Sequence, residues 1–585
     1  MKRSAKYLSV TNMAPPGNSP QKSTVTHNTS GLFRVAIVSV FGFIALAVAN
    51  LNLHLLKMES SYVSKRDNQG NVMDVHKILK KYQDSRLGNF VVKPKLEESI
   101  KQINAFGNNK NGPITGRGSG SKRGHINCSI DVDLLVSYWN DPLSDEDRSF
   151  QSPFLKAPDA TADIATRYLS FEPDLGGWNN IRMEFEIMVV FAATTGRTLI
   201  LPPDYPVYLL HLDSQSRHRG LQDFFQYGVG SDSKSTVHSG FDDIVNVITM
   251  RDFFHKEILE KKSYSLPLDQ ANKTKVLSSI QKCNYRTKDS KSCIHLFDHM
   301  AIIADLVPTW NGEAHCLIMD DKNWYKDVSI ETSKNDASLQ VFCGNRSPVY
   351  YNRQLHDAPL VHFRSHTKKT RLLVHFYAFI YFTDPKIGNY YKRMVRDRVR
   401  YSDPIHCAAG KVVKSILDEF GGFSSMHIRR GDFQWPEMRI SATEWLENTR
   451  HILHENELVY ISTDEKDLTF FEPLRSRYRL KFLTDYKVLA GLDELDPNFI
   501  GMIDAVIASR GREFVGTYFS SFSAYIGRLR GYHGMSGNRM HYGYLARMNE
   551  THSWVMPHSS YSAREFPIGW TAIDGDTEAT EEDFF

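Results

Sequence analysis

Apolar and polar positions alternate along the C-terminal half of the chain in a way that predicts alternating strands and helices. Short apolar segments indicate strands at 423–428, 458–462, 480–484 and 513–517. Longer segments with helical spacing predict helices at 406–420, 445–453, 500–510 and 520–532. Gly421 is a typical helix stop, and Ser441 with Glu444 forms a capping box ahead of the second helix. Alternation of this kind predicts a parallel, doubly wound sheet.

The preceding half begins a second α/β pattern. The loop FEPDLGGWNN at 171–180 leads into a long apolar helix that ends at Gly196, and RTLILPP then indicates a strand. Residues 372–382, LLVHFYAFIYF, are apolar enough to be core. We therefore expect an α/β protein with two α/β units, at 161–402 and 403–565.

The N-terminal region has a different pattern. Residues 1–34 contain five basic side chains and no acid, and residues 35–51 are uncharged and apolar. This predicts a cytoplasmic tail followed by a transmembrane signal anchor, with a cleaved signal peptide as the alternative. The positive flank places the rest of the chain in the lumen. The short span favours a Golgi or ER membrane and a single-pass type II topology.

Two further segments read as flexible. Residues 52–160 are polar, with a Gly- and Ser-rich run at 108–124, and we interpret them as a stem. Residues 566–585 are acidic and are predicted to be a disordered tail.

Composition narrows the functional classes. The chain has 585 residues, a net charge of +4 and no long basic run after its N-terminal region, so nucleic-acid binding is not expected. Six cysteines in a luminal chain predict disulfides. The short polar loop between Cys283 and Cys293 makes these two the first candidate pair.

Three polar clusters directly follow predicted strands: HIRRGDF at 427–433, TDE at 463–465 and GTYFSS at 516–521. Because the carboxyl ends of parallel strands meet at one edge of a sheet, these clusters should converge on one site. Two adjacent guanidiniums and a helix N-terminus are suited to a diphosphate. The alternatives are a surface ion-pair loop and a cell-adhesion triplet at 430–432, although that triplet should be buried in the cleft. Asp131 and Asp133 form an Asp-x-Asp pair that reads more simply as surface acids than as a metal site.

The motifs GGWNNIRM, HIRRGDF and GTYFSSFSAYIGRLR, in this order, resemble the GDP-fucose protein O-fucosyltransferase superfamily over roughly residues 165–560. The resemblance implies a GT-B fold, in which two Rossmann-like domains face each other across a cleft and the donor lies on the C-terminal domain. It also implies GDP-fucose as the donor substrate, no cofactor and no bound metal.

Residue roles follow from the same resemblance. Arg429 is the implied catalytic residue, because it matches the arginine that holds the β-phosphate of the departing GDP. The donor-binding residues implied in this way are Gly177, Trp178, Asn179, His427, Arg429, Asp504, Ser521 and Phe522. The glutamate that some relatives carry in the Gly-rich loop is replaced by Gly176, so Glu172 and Asp174 are the remaining weak candidates for the catalytic base.

These observations predict an inverting fucosyltransferase that moves fucose from GDP-fucose to a hydroxyl of a secretory-pathway acceptor. Protein Ser or Thr is the first expectation for the acceptor. A glycan acceptor, or an inactive sugar-nucleotide-binding scaffold of the same fold, are the alternatives.

Overall fold

The computed structural model describes residues 123–141, 143–158, 166–174, 176–202, 225–226, 245–253, 310–326, 337–365, 370–535, 537–548, 570 and 573–574, together with 271, 274–275 and 278. The predicted tail and anchor at 1–51 and the candidate pair Cys283 and Cys293 lie outside these residues, as does nearly all of the predicted acidic tail. No helix among the described residues is long and apolar enough to cross a membrane.

Fourteen strands are present in the described ranges. They are β1 Tyr168–Phe171, β2 Thr198–Leu201, β3 Phe225–Gln226, β4 Val247–Thr249, β5 His315–Met319, β6 Ser347–Tyr350, β7 Leu360–Phe363, β8 Ile380–Phe382, β9 Arg400–Tyr401, β10 Ser424–Ile428, β11 Leu458–Thr463, β12 Arg479–Phe482, β13 Phe514–Gly516 and β14 Met540–Tyr542.

The α-helices of the same ranges also follow chain order. They are α1 Asp133–Val136, α2 Asp145–Ser149, α3 Trp178–Thr195, α4 Met250–Asp252, α5 Ala337–Cys343, α6 Arg353–Asp357, α7 Phe376–Phe379, α8 Pro385–Arg398, α9 Asp403–Phe420, α10 Ala442–Thr449, α11 Glu472–Arg475, α12 Lys487–Ala490, α13 Ile500–Ser509 and α14 Ser521–Tyr532. Short 3-10 helices occur at Pro436–Met438, Leu468–Phe471, Leu483–Tyr486, Pro497–Phe499, Gly537–Arg539 and Leu545–Arg547.

The two larger sheets are entirely parallel, which confirms the predicted α/β class. The C-terminal sheet has the order β12-β11-β10-β13-β14, and the N-terminal sheet has the order β4-β2-β1-β7. A three-stranded parallel sheet, β6-β5-β8, and an antiparallel β3-β9 pair complete the described strands. The two larger sheets fall on either side of residue 402. The exact domain boundaries stay a prediction.

Strand order creates a crevice in each of these sheets. In the C-terminal sheet the chain moves from β10 outward through β11 and β12, and then returns to the other side of β10 with β13. The crevice therefore opens at the carboxyl ends of β10 and β13, where loops leave in opposite directions. The N-terminal sheet has the same kind of switch between β1 and β7.

The last part of the predicted stem is not flexible. Ile126, Val132, Trp139 and Phe154 are at most 1% exposed and belong to the apolar cluster that runs through both halves. Val132 lies so close to Gly410 of α9 that a Cβ added there would be 2.5 Å from it. The stem prediction is therefore wrong for residues 123–141 and 143–158, because their apolar side chains pack onto the folded unit.

Two disulfides are formed by described residues. Cys128 joins Cys407 in α9 across 279 residues, and Cys316 joins Cys343 across 27 residues. The first of these bonds fixes the segment before α1 to the C-terminal half. The prediction of disulfides is thus confirmed, and the Cys283–Cys293 pairing stays a prediction.

Candidate functional site

The carboxyl ends of β10 and β13 are joined by the hydroxyl of Thr517. Its Oγ1 donates to the carbonyl of His427 at 2.9 Å and accepts from the backbone N–H of Arg429 at 3.0 Å. Because both bonds involve the main chain at the strand end, Thr517 fixes the direction in which the Arg429 side chain leaves the sheet. The sequence motif does not reveal this role of Thr517.

Arg429 enters the crevice between two carboxylates. Its Nη1 lies 2.7 Å from Asp464 Oδ2, and its Nη2 lies 2.7 Å from Asp432 Oδ1. The side chain is 20% exposed, so part of it can be reached from solvent. Asp464 also accepts from the backbone N–H groups of Arg430 and Gly431, which ties β11 to the loop after β10. An incoming phosphate must share this guanidinium with Asp432 or Asp464, or displace one of them.

Arg430 does not join Arg429 in a shared anion fork. Its Nε donates to Glu465 at 2.8 Å, and its guanidinium carbon lies 3.8 Å from the centre of the Phe470 ring. The structure therefore assigns the second guanidinium of the motif to a local ion pair and a cation–π contact. Gly431 and Asp432 are exposed, so the expectation that the 430–432 triplet is buried was wrong.

His427 is a buried neutral base at the same edge. Its Nδ1 lies 2.7 Å from Ser523 Oγ, and its ring packs against Phe522 with a centroid distance of 4.5 Å. Burial, with the positive charge of Arg429 as a second cause, lowers the pKa of His427 to about 3. The imidazole is therefore uncharged near neutral pH and offers a hydrogen-bonding ring rather than a cation.

The helix that follows β13 begins with strained backbone. Phe519 has a φ of +63°, a left-handed conformation that is uncommon for a bulky residue. Its ring packs against Trp435 at 4.7 Å and Tyr518 at 4.4 Å, and these contacts hold the turn in place. The N-cap residue Ser520 makes no side-chain cap bond to α14. The first amide groups of α14 and its positive dipole end are consequently suited to an anion.

Asp504 lies on α13 beneath the neighbouring strand. The hydroxyl of Tyr460 donates to its carboxylate, and Ser462 is a second hydrogen-bonding partner. Burial raises the pKa of Asp504 to about 7, although both hydrogen bonds oppose that shift. Ser462 pairs with His427 across the sheet, so this carboxyl group is one strand away from the imidazole.

The Gly-rich loop brings a third set of residues to α3. Gly177 is the N-cap of α3 and, like Ser520, makes no side-chain cap bond. Trp178 is buried and donates its indole N–H to the hydroxyl of Tyr401 at 3.3 Å. Asn179 is also buried, and its Oδ1 accepts from Arg182 Nε at 3.3 Å.

The next residue, Asn180, is a polar side chain that the motif comparison missed. It is partly exposed, and its amide lies over Gly176, where an added Cβ would be 2.4 Å from Asn180 Nδ2 and 2.6 Å from Asp174 Oδ1. A glutamate therefore cannot occupy position 176 unless this loop moves. Only the folded loop reveals that Asn180 is partly exposed whereas Asn179 is buried.

Helices α3 and α14 run side by side in the same direction. The guanidinium of Arg182 lies 3.8 Å from the centre of the Tyr525 ring, and one turn later Glu186 Oε2 lies 2.7 Å from Arg528 Nη1. Residue numbers increase together along both helices, so their N-termini lie at the same end. This contact brings the starts of the two helices, at Gly177 and Ser520, to the same side of the molecule.

Glu172 and Asp174 have buried carboxylates that are already engaged. Glu172 Oε2 accepts from the backbone N–H of Ser365 at 2.9 Å. Asp174 is held bidentately by Arg371 at 2.7 and 2.8 Å, and it also accepts from the Gly176 N–H at 2.6 Å. Both carboxylates therefore already accept hydrogen bonds from groups of this chain.

A buried acid on α3 adds to this part of the site. Glu184 accepts from the backbone N–H of Asp174 at 2.6 Å, and burial, followed by the charge of Asp174, raises its pKa well above the ordinary value. Sequence periodicity gave no reason to single out Glu184, because a carboxyl group in an apolar helix looks like an ordinary exposed position.

The Asp-x-Asp pair has a local role. Asp133 accepts from His125 Nδ1 and from the Ile126 N–H at 2.9 Å, and Asp131 accepts from the Asp133 N–H at 3.1 Å. These bonds shape the turn before α1. Within the described ranges, no group of three or more His, Cys, Asp or Glu side chains is arranged to hold a metal ion.

The structure therefore brings most of the predicted donor-site residues to the carboxyl edge of the C-terminal sheet. His427, Arg429 and Phe522 meet at the ends of β10 and β13, Ser521 begins α14, and Asp504 lies one strand away. Gly177, Trp178 and Asn179 begin the parallel helix α3. Glu172 and Asp174 are instead held by hydrogen bonds from Ser365, Arg371 and Gly176.

Comparisons with known proteins agree with these motifs. Residues 168–533 match the family model described as GDP-fucose protein O-fucosyltransferase. The chain is similar to a crystal structure of POFUT1 in complex with GDP at 13% identity, covering 65% of this chain and 100% of that one with a TM-score of 0.32. It is similar to POFUT1 in complex with GDP-fucose at 13% identity, covering 66% and 99% with a TM-score of 0.32.

A third structure, the fucosyltransferase NodZ from Bradyrhizobium, matches at 11% identity, covering 62% of this chain and 94% of that one with a TM-score of 0.30. Curated protein sequences give no match. The family match spans well over half of the 585 residues and includes every motif of the candidate site. The chain therefore belongs to the GDP-fucose protein O-fucosyltransferase family.

Proposed function

We propose that the protein transfers fucose from GDP-fucose to a hydroxyl group of an acceptor in the secretory pathway, with inversion at the anomeric carbon. The observation that carries this proposal is the placement of Arg429 beside an uncapped helix start at the crevice between β10 and β13. A guanidinium and helix amides together stabilise the charge that develops on a departing diphosphate.

The remaining residues fit the rest of the donor. An ionised Asp504 can accept the two N–H donors on one edge of guanine, which gives selectivity for this base. The neutral ring of His427 and the partly buried ring of Phe522 provide an apolar and hydrogen-bonding wall. We propose that Gly177, Trp178, Asn179 and Asn180 approach the donor and the acceptor from the α3 side.

For the acceptor we propose Ser or Thr of a protein, with a glycan hydroxyl as the second candidate. The proposal names no side chain as the general base. Gly176 leaves no room for a loop glutamate, and both Glu172 and Asp174 already accept hydrogen bonds. An inactive scaffold that binds the sugar nucleotide without turnover is the competing function, because it requires the donor site but no general base.

We propose that the two parallel sheets form the two facing Rossmann-like domains of a GT-B fold. The basic, then apolar, N-terminal sequence supports a single-pass type II membrane protein of the Golgi or ER with its folded part in the lumen. We also propose that turnover requires no metal ion.

The proposed activity predicts selectivity for one donor. Full-length protein in detergent should bind GDP-fucose and slowly release GDP from it, and a chelator should not change the rate. GDP-mannose and UDP-sugars should give much less release. Calorimetry and nucleotide-release assays on the same preparation measure both steps. Tight binding without release would support the scaffold, and equal activity with UDP-sugars would contradict the proposal.

Replacing Arg429 should slow turnover more than it weakens donor binding. Charge on the leaving oxygens develops mainly in the transition state, so Arg429→Ala should lower kcat by about a hundredfold or more. Arg429→Lys should recover little, because an ammonium group lacks the planar fork. Arg430→Ala is the matched control, and it should retain most turnover because its guanidinium is held by Glu465. A near-native kcat in a well-folded Arg429→Ala protein would contradict the role proposed for Arg429 in turnover.

Donor affinity should depend on pH through Asp504. The carboxylate is the binding form and its pKa is about 7, so affinity should fall by about twentyfold between about pH 7.5 and 5.5. Asp504→Asn should bind weakly at both values and lose this dependence. Titration of GDP by calorimetry at each pH measures the effect, and an unchanged pH slope in Asp504→Asn would contradict it.

The raised pKa of Asp504 also makes the unfolding free energy depend on pH, in the direction opposite to donor affinity. The folded pKa lies above the unfolded value of about 4, so the folded protein holds the proton more tightly. The contribution of Asp504 to the unfolding free energy is therefore largest at low pH and falls as pH rises from about 4 to about 7. Asp504→Asn should raise Tm at neutral pH while it lowers donor affinity, which separates a binding defect from misfolding.

A further inference from the structure

Two Asn-x-Ser sequences lie on the surface of the described part of the chain. Residues 127–129, Asn-Cys-Ser, precede α1, and residues 345–347, Asn-Arg-Ser, end at the first residue of β6. The asparagine and the serine of both sequences are exposed. In the lumen of the secretory pathway, an exposed Asn-x-Ser is an acceptor for an N-linked glycan. A disulfide-bonded cysteine lies within the first sequence and two residues before the second, so the order of the two modifications matters.

Attachment of the glycan is a group transfer onto the side-chain amide of asparagine. The amide nitrogen forms a bond to the anomeric carbon of a lipid-linked oligosaccharide diphosphate and loses one proton. The bond from that carbon to the diphosphate oxygen breaks, and the lipid diphosphate leaves with the electron pair. The acceptor segment must fit into the active site of the transferring enzyme, so its backbone has to be free of the rest of the fold. A closed disulfide or a strand pairing removes that freedom.

The first sequence stays free during a long part of synthesis. Residues 127–129 lie in neither a helix nor a strand. The folded protein fastens them with the Cys128–Cys407 disulfide and with a hydrogen bond from the Asn127 N–H to Asp403 Oδ2 at 3.0 Å. Cys407 is made 279 residues after Cys128, which at about 5–20 residues per second takes about 14–56 s. Neither bond can form in that interval, so the amide of Asn127 is available for transfer.

The second sequence can be fixed as soon as it is made. Cys343 pairs with Cys316, which precedes it by 27 residues and is already present. Ser347 pairs with His315 of β5, which is also made earlier. Pro348 follows Ser347 directly, and proline restricts the backbone of the preceding residue to extended conformations. Disulfide closure and strand pairing therefore compete with glycan transfer at this sequence from the start.

We propose that Asn127 carries an N-linked glycan and that Asn345 stays largely unmodified, because transfer precedes disulfide closure at the first sequence and follows it at the second. The proposal rests on the luminal location proposed above and is independent of fucose transfer. Disulfide formation takes seconds to hours, so the long delay before Cys407 is made decides the order at Asn127. Since Asn127 is exposed, the bulky glycan stays in solvent after the disulfide has closed.

The first test is peptide mapping of the full-length protein made in eukaryotic cells. Peptide N-glycosidase in water labelled with heavy oxygen converts each glycosylated asparagine to labelled aspartate, so mass spectrometry gives the occupancy of each site. Occupancy at Asn127 should exceed occupancy at Asn345 by about fivefold or more. Asn127→Gln should increase the gel mobility of the protein by the equivalent of one glycan. Asn345→Gln is the matched control and should leave the mobility unchanged.

Two further sequences of this kind begin at Asn272 and Asn549, outside the described residues, and they report on the compartment. An unmodified Asn127 in a protein with glycan at Asn272 or Asn549 overturns the proposal and leaves the luminal location intact. Absence of glycan from all four asparagines overturns the proposal and contradicts the luminal location. Equal occupancy at Asn127 and Asn345 overturns the proposed order. Fucose transfer by the same preparation is measured separately, so its failure is distinguishable from each of these results.

A second test isolates the effect of disulfide closure. Pro348→Ala removes the restraint of proline, and in that background Cys343→Ser should raise occupancy at Asn345 by about fivefold. Cys407→Ser should leave occupancy at Asn127 unchanged, because Cys407 is made after the transfer. Both occupancies are measurable even where a variant does not fold, since transfer takes place on the growing chain. Unchanged occupancy at Asn345 in Cys343→Ser, or altered occupancy at Asn127 in Cys407→Ser, would contradict the proposed order.

Discussion

A buried ion pair between two helices determines where the proposed site forms. Glu186 of α3 accepts from Arg182 of the same helix and from Arg528 of α14, both at 2.7 Å, and all three side chains are at most 1% exposed. His375 accepts from Arg528 as well, at 3.0 Å. Loss of Glu186 would leave two guanidiniums buried without this carboxylate, a change that is typically severe. The ion pair therefore fixes α3 and α14 in parallel, with both starts at one end.

The other contacts of the site preorganise single groups within that frame. Thr517 holds the main chain on either side of Ile428, and Asp464 holds the loop after β10 together with the Arg429 guanidinium. The left-handed Phe519 is supported by ring packing immediately before the start of α14. A phosphate group that arrives at this edge meets donors that are already positioned, so less binding energy is lost in ordering them. It must still share the Arg429 guanidinium with Asp432 or Asp464, or displace one of them.

Much of this arrangement could be predicted from the sequence. The alternation of strands and helices predicted the parallel sheets. The polar clusters at 427–433, 463–465 and 516–521 predicted the sheet edge at which the site forms. The prediction worked because strand ends are local features and the carboxyl ends of parallel strands meet at one edge. The motifs also identified the family, since three of them occur in the same order on these elements.

Features that depend on distant partners could not be predicted in this way. The sequence at 123–158 looks polar enough for a stem. The disulfide from Cys128 to Cys407, 279 residues later, and the contact of Val132 with Gly410 nevertheless hold part of this segment in the fold. Arg430 is adjacent to Arg429 in sequence, yet Glu465 and Phe470 engage it separately. Asn180 is distinguished from Asn179 only by the direction of each side chain in the first turn of α3.

The central claim is that one diphosphate is held by Arg429 and by a helix start that the Glu186 ion pair positions. A crystal structure of the full-length protein with GDP tests it most directly. We predict that the β-phosphate lies within hydrogen-bonding distance of the Arg429 guanidinium and of a backbone N–H of Ser521 or Phe522. Ordered GDP that contacts neither group would contradict the account.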